Sequence, residues 1–416
     1  MMMNKFKLNE LGSVNRGKSK HRPRNDPALY GGEYPFIQTG DVKHSPFYLT
    51  SHTQTYNEKG LEQSKLWPIN TLCITIAANI AETAILTYPA CFPDSIIGFI
   101  PDPKKTDLKY IKYCLDTFKL QMQLISQGTT QDNMSVEKLL SIDFPIPELD
   151  EQKKVAAILS SYDDLIENNK KRIMMLENTA EEIYREWFVR FRFPGFRKAE
   201  FVKGIPKGWD IKKIDDAFKT SSGGTPSRKN EANYGGNINW LKTGELKNIF
   251  AFESKEKISE QGLESSSAKL FPTNTVVIAM YCAMPDITIL SEESSTNQAC
   301  CAFLPKEEYL TCTYTYYLIK FVQTHMIQYA HGAAQQNLSQ DLIKNFNLLV
   351  ADKDTIEAFD KIINPFFDQI RVLMKQNRNL NNTKSNLLPL LISGKLSVED
   401  LDIQFPPSML NIEESI

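Results

Sequence analysis

The chain repeats itself at one fixed offset, and that offset constrains its fold more than any other feature. Residues 127–135 read QGTTQDNMS and residues 331–339 read HGAAQQNLS, a separation of 331 − 127 = 204. Tyr30-Gly31-Gly32 returns as Tyr234-Gly235-Gly236. The stretch 36–43 (FIQTGDVK) returns as 240–247 (WLKTGELK), and Trp67-Pro68-Ile69-Asn70-Thr71 as Phe271-Pro272-Thr273-Asn274-Thr275. Ile85-Leu86 matches Ile289-Leu290, and Phe99-Ile100-Pro101 matches Phe303-Leu304-Pro305. Chance does not hold so many separate stretches in one register. A period this long lies far above those of solenoid repeats and means two copies of a domain. A chain of 416 residues has room for them.

Each copy has two parts. In the first, short β-rich runs alternate with turn signals. Residues 71–76 and 275–280 read as buried strands, each after a Pro-x-Asn turn. Residues 108–124 and 314–329 read as helices that end before the repeated segment, with Gly128 and Gly332 as helix C-caps. The repeated segment is therefore expected to be a loop leaving a helix.

The second part is a long helix. Asp150 is expected to cap one running to about Phe191 and stopped by Pro194-Gly195. Its apolar stripe is Val155, Ile158, Leu159, Tyr162, Leu165, Ile166, Ile173, Leu176, Ala180, Ile183, Tyr184 and Trp187. In the second copy Asp354 and Glu357 suggest a capping box. That stripe is Phe359, Ile362, Ile363, Phe366, Ile370, Leu373, Leu380, Leu387, Leu388 and Leu391, ending at Ser393-Gly394, with a kink expected at Pro365. Asn169 and Asn377 sit on the stripes, where polar residues set register at a cost in stability. Two such helices most simply pair with each other. Antiparallel pairing would hold the β-rich domains at opposite ends of a rod about 60 Å long, at 1.5 Å per residue.

Composition excludes some functions. Net charge is −2, so no global polyanion affinity is announced. Charge is uneven, however. Segment 1–147 carries 16 Lys+Arg against 14 Asp+Glu, and 197–351 carries 17 against 16, so the acidic excess lies in the helical parts. The sharpest basic run is Lys5, Lys7, Arg16, Lys18, Lys20, Arg22 and Arg24, against Glu10 alone. Met1–Met3 lead straight into polar residues, and no apolar run is long enough to span a bilayer, so a cytoplasmic protein is expected. Seven cysteines without a CxxC read as free buried thiols.

Catalytic motifs do not assemble. Asn364-Pro365-Phe366 lacks the second proline of an adenine-methyltransferase motif and falls within a helical stripe. Asp102 with Asp107-Leu108-Lys109 has the letters of a nuclease site but too short a gap between them, and the other copy has Lys306 after Pro305. Gly223-Gly224-Thr225 is too short for a P-loop, and the five histidines show no zinc spacing. What remains is a binding protein with two similar heads whose loops differ. Residues 16–22 (RGKSKHR) face residues 220–226 (TSSGGTP) at the common offset. Arg and Lys neutralise phosphates or fork onto guanine, whereas Gln and Asn pair with adenine edges. Two such heads on one spacer would read two short DNA sequences a fixed distance apart. The rival reading is an assembly scaffold whose heads bind protein.

Several segments together resemble the specificity subunit of type I restriction-modification enzymes. They are Thr39-Gly40-Asp41 and Thr243-Gly244-Glu245, the Gly-x-x-Gln-x-Asn-apolar-Ser segment, and the Pro-x-Pro-x-x-x-x-Glu-Gln run from Pro145 to Gln152. Residues 177–190 (ENTAEEIYREWFVR) and 387–396 (LLPLLISGKL) complete the set. The second copy lacks the Pro-x-Pro run, having Leu348-Leu349-Val350-Ala351 instead.

The resemblance implies an α+β chain of two tandem α/β target recognition domains, separated by an antiparallel pair of long coiled-coil helices. The expected boundaries are 1–147 and 197–351 for the domains, 148–196 for the central helix and 352–416 for the C-terminal helix and tail. It also implies a non-catalytic chain that reads an asymmetric bipartite site on double-stranded DNA. Two modification subunits would carry the adenine methyltransferase chemistry, with restriction subunits joined through them. S-adenosylmethionine, ATP and magnesium would belong to those partners, with no cofactor or metal in this chain.

The DNA-binding candidates in the first head are Arg16, Lys18, Lys20, Arg22, Lys43, Gln127, Thr129, Thr130, Gln131, Asp132 and Asn133. In the second head they are Lys219, Ser221, Ser222, Thr225, Arg228, Lys242, Lys247, His331, Gln335, Gln336 and Asn337. Residues that differ between copies, such as Gln127 against His331, are better placed to read different bases than shared ones. Tyr184, Trp187, Phe188 and Leu391 are the expected partner contacts.

Overall fold

The computed structural model describes residues 3–127, 134–281, 286–332 and 338–410. It divides into two compact units, Met1–Asn169 with Gln376–Ile416, and Lys170–Lys375. Both division points fall inside long helices, Leu149–Tyr184 and Lys353–Ile392, so each unit holds one head and a half of each helix.

The two heads share one topology. In the first, a five-stranded sheet runs Gly12–Arg16, Ile96–Pro101, Leu72–Thr75, Thr83–Leu86, Tyr48–Leu49. In the second, the order is Phe218–Ser222, Cys300–Pro305, Val276–Ala279, Ile287–Leu290, Phe250–Ala251. A four-stranded sheet accompanies each, built on Tyr30–Phe36 and on Tyr234–Leu241. The central strands are apolar on both faces, and every residue of Leu72–Thr75 and Val276–Ala279 is buried. The Pro-x-Asn turns before them are real: Asn70 and Asn274 have φ of 61° and 63°, and Thr71 and Thr275 donate their hydroxyls to the Pro68 and Pro272 carbonyls. Tyr-Gly-Gly marks a bulge in both heads, where Gly31 and Gly235 take φ of 83° and 76° in the left-handed region open to glycine.

The single offset of 204 hides compensating shifts. Gly17 and Gly223 donate their amides to the equivalent carbonyls of Ile96 and Cys300, an offset of 223 − 17 = 206. Asn57 and Ser259 cap equivalent short helices at 259 − 57 = 202. Between these points the first head has a 12-residue loop, 18–29, where the second has 10 residues, 224–233. The expected facing of Arg16 with Thr220 is therefore corrected by two residues: Arg16 stands where Ser222 does.

The helices differ from expectation at their starts. The central helix begins at Leu149, directly after Glu148, whose carbonyl accepts from Gln152 N, so Asp150 lies in the first turn instead of at the cap. The C-terminal helix is capped by Asp352, whose carboxylate accepts from the Thr355 amide and hydroxyl, and not by Asp354. Pro365 is exposed, on the outer side of the helix together with Lys361 and Asn364, and the helix runs through it. Gly394, at φ 72°, terminates it as expected. Of the stripe residues, Leu165 and Ile362 are exposed, at 51% and 42%.

Within the first unit the two helix halves run antiparallel. Lys154 reaches the Glu399 carbonyl, Asp163 pairs with Lys384 at 2.6 Å, and Asn169 donates to Asn377 at 2.9 Å. Within the second unit, Tyr184, Trp187 and Phe188 pack on Phe359. The same packing decides the expected partner contacts. Tyr184, Trp187 and Phe188 are 3%, 7% and 7% exposed in an aromatic cluster with Tyr314, Tyr317 and Trp209, and Leu391 is fully buried in the first core. These residues hold the chain's own helices to its own heads and are not contact surfaces, which corrects that expectation.

Local chemistry also accounts for the motifs that resembled catalytic sites. Asp107 caps its helix through the Tyr110 amide, and Lys109 is buried against Ser408, donating to its carbonyl and hydroxyl at 2.8 and 2.9 Å. Gln152 of the Pro-x-Pro run is buried and bonds Thr106, Asp107, Lys105 and Pro147, clamping the helix start to the head. In the second unit Asp352 takes over this work, accepting from Trp209 Nε1 at 2.8 Å, which explains why that copy needs no such run.

Candidate nucleic-acid interface

Antiparallel pairing brings several loops to one end of each five-stranded sheet. In the first head, Arg16 ends one strand, Ile96 begins its neighbour, and Thr75 ends the next. Ile76 donates to the Ser95 carbonyl, and Met134 donates to the Ile76 carbonyl. In the second head Met280 donates to Ala299 and Leu338 to Met280. Met134 and Leu338, near the end of each repeated segment, are thus stitched to the end of the central strand, beside the loop that follows Arg16 or Ser222.

This placement assigns two of the repeated positions. Met134 and Leu338 are buried anchors, 1% and 3% exposed. Ser135 and Ser339 are N-caps, accepting from the amides of Lys138 and Leu342 at 3.2 Å each. Thr129, Thr130, Gln131, Asp132, Asn133, Gln335, Gln336 and Asn337 lie outside the described residues, as does Gly128. Gln127 is the last residue of its helix, and His331 lies in the last turn of a helix that includes Gly332.

The basic loop of the first head is held by its backbone and by its arginines, while the Lys18 and Lys20 side chains stay outside. Lys20 and His21 donate their amides to Gln63 Oε1 at 2.7 and 3.0 Å, and Ser64 donates to the Lys18 carbonyl. Lys18 and Lys20 are exposed. Arg16 donates Nε to the Asp94 carbonyl at 3.1 Å, and Arg24 pairs with the Asp94 carboxylate at 2.8 Å. Arg22 folds back on the carbonyls of Ser19 and His21. The Glu137 carboxyl, two residues past the Ser135 cap, is pushed down by that hydroxyl, by its own amide and by the charge of Arg16.

The second head uses its charges differently. Arg228 forks onto Glu256 and lies over the Tyr234 ring at 4.0 Å, while Lys242 reaches the same carboxylate at 2.8 Å. Together they hold Glu256 down to about 2. Trp240 donates Nε1 to the Gly224 carbonyl beneath them. Ser221 is buried and accepts from Lys269, Ser222 bonds Gln340, and Thr225 bonds Gln298. Lys219 and Lys247 are exposed. In the first head Gln38 and Gln54 take the places of Lys242 and Glu256, a neutral pair for a charged one. Lys43 is exposed on the helix Thr39–His44, whose Val42 packs into a core with Cys73 and Ala84, and no described contact ties it to the sheet-end loops. The acid of Thr-Gly-acid is structural in both heads: Asp41 accepts the Gln38 amide and Glu245 the Lys242 amide.

Sequence reading missed Asp94, Gln298 and Glu256, the residues that hold these loops. Asp94 and Gln298 share the 204 offset, which could have drawn attention to them. Among the described residues no helix is long and apolar enough to cross a membrane, and no cluster could hold a metal ion. Cys73, Cys91, Cys114, Cys300 and Cys301 are free and buried.

A family model described as type I restriction modification DNA specificity domain matches residues 2–178 and again 206–383, once on each head. The chain belongs to this family. It is 26% identical over 412 residues to the type I restriction enzyme MjaIX specificity subunit of Methanocaldococcus jannaschii, covering 95% of this chain and 94% of that one. It is 22% identical over 478 residues to the HindI specificity subunit of Haemophilus influenzae, covering 95% and 100%. Its fold is similar to the crystal structure of the type I restriction-modification S subunit from M. genitalium, with a TM-score of 0.61 at 16% identity over 94% of this chain and 96% of that one. The fold class implied by the resemblance, two tandem α/β heads with two long helices, is the one found.

Proposed function

We propose that this chain is the DNA sequence-specificity subunit of a type I restriction-modification complex, reading an asymmetric bipartite site with one half-site per head. The observation that carries this reading is a shared framework with divergent loops. Strand order, caps and anchors agree between heads, while the loops at one sheet end differ in length and charge. A common scaffold with different contact residues is what recognition of two different half-sites requires.

In this reading the first head holds DNA through phosphate contacts from Lys18 and Lys20. The second relies on the polar edge around Thr225 and the segment after Gly332. The chain itself performs no bond chemistry. Modification subunits supply adenine methylation with S-adenosylmethionine, and restriction subunits joined through them use ATP and magnesium. Because Tyr184, Trp187, Phe188 and Leu391 are internal, partner subunits meet exposed helix positions instead. Leu165 offers one in the first unit, and Met174, Met175 and Val372 offer others in the second.

The test is genomic methylation mapped with and without the gene. Loss of one bipartite methyladenine motif is the expected result. An unchanged methylation pattern, or loss of an uninterrupted motif, contradicts the reading.

A further inference from the structure

One corner of each head holds the variable loop in place. The turn Pro93–Ile96 closes with Ile96 N on the Pro93 carbonyl, and Asn297–Cys300 closes with Cys300 N on the Asn297 carbonyl. The residue before the turn receives the loop in both heads, since Lys18 N donates to Phe92 O and Gly224 N to Thr296 O. Asp94 and Gln298 occupy the same second position of this turn. Each points its side-chain acceptor at the loop, but at different partners. Asp94 takes the Arg24 guanidinium at 2.8 Å, while its carbonyl takes Arg16 Nε at 3.1 Å. Gln298 Oε1 takes the Thr225 hydroxyl. The far side of each loop is pinned alike, by the Tyr30 hydroxyl on the Arg24 carbonyl and the Tyr234 hydroxyl on the Pro226 carbonyl.

The tyrosine pin and the turn are therefore common framework, and the side chain at 94 or 298 is the element that matches each particular loop. A carboxylate suits a loop carrying arginines. A neutral amide suits one carrying a threonine. A carboxylate at 298 would still accept from a hydroxyl, whereas an apolar side chain could not.

We propose that Asp94 and Gln298 are positioning residues, each setting the loop conformation with which its own head reads its half-site. This inference rests on the proposed two-head reading. It goes further by naming two residues through which the specificity of each half-site can be altered without touching a base-contacting side chain.

The test uses the full chain assembled with its modification subunits, on duplexes carrying the mapped site and single-base substitutions in each half. Asp94→Ala is expected to lower discrimination at the first half-site about tenfold, the scale of one mismatched base pair, with the second half-site unchanged. Gln298→Leu is expected to do the mirror image, and Gln298→Glu to retain discrimination because the acceptor for Thr225 remains. The unaffected half-site in each variant reports that the chain is folded and assembled. Equal loss at both half-sites, no loss at either, or a Gln298→Glu variant as poor as Gln298→Leu overturns the inference. If the unaltered chain reads no bipartite site, the proposed function fails first; if it reads one and the variants behave alike, only this inference fails.

Discussion

At the scale of residues, the repeated segment separates into parts with different physical duties. Its apolar residue and its Ser serve the framework in both heads, as Met134 with Ser135 and Leu338 with Ser339. Replacing either Ser by Ala removes a helix cap, and urea unfolding of Ser135→Ala and Ser339→Ala is expected to show a loss of about 1 kcal/mol each. Glu256 gives a second residue-scale expectation. Arg228 and Lys242 hold its carboxyl at about 2, below the ordinary 4.5. A depressed carboxyl stabilises the fold above the unfolded value and loses that contribution as pH falls through the folded one. The stability gap between the unaltered chain and Glu256→Gln is therefore expected to be full above about pH 5 and to close towards pH 2. Thermal unfolding across that range measures it, and a gap independent of pH would contradict the assignment.

Among the elements, the long helices show how an amphipathic stripe acquires its partners. The stripe of the central helix ends in Tyr184, Trp187 and Phe188, which look from sequence like a surface waiting for another subunit. Tertiary packing turns them onto Phe359, Tyr314, Tyr317 and Trp209. Their value is accordingly to the stability of the second unit. Trp187→Ala is expected to cost about 3–5 kcal/mol, as for other large buried aromatics. A variant that unfolds at the normal denaturant concentration but fails to bind modification subunits would restore the partner reading. The helix starts teach the same lesson. Asp352 and not Asp354 caps the C-terminal helix, because Asp352 answers both the Thr355 amide and the Trp209 indole, which arrives from 143 residues away.

For the whole molecule, the charge balance of the two heads bears on how DNA is held. The first head leaves Lys18 and Lys20 exposed, whereas the second spends Arg228 and Lys242 on Glu256. Phosphate contacts are thus expected to be concentrated on the first head. In the assembled complex, Lys18→Ala with Lys20→Ala should weaken binding to every sequence alike and reduce the slope of log K against log salt by about 2. Binding isotherms at four or five salt concentrations decide this. A change in sequence preference without a change in slope would mean that these lysines read bases.

The sequence by itself determined the duplication, the strand and helix content, the buried central strands and the stop of the C-terminal helix at Gly394. Each of these is written in local patterns: period, turn residues and spacing. Gly332, by contrast, expected to follow its helix, is part of it. The 204 offset was legible because insertions in one loop are offset by deletions in the next, and for the same reason it misaligned Arg16 with Thr220. Only the tertiary structure decided which polar residues are structural and which are free. Whether Arg228 faces DNA or Glu256, whether Trp187 meets a partner or Phe359, and whether Asp94 is idle or holds a loop depend on residues dozens to hundreds of positions away. A hydrogen bond or ring contact between distant residues leaves no periodicity in the chain, so sequence pattern cannot report it, whereas helices, strands and turns are set by neighbours a few residues apart.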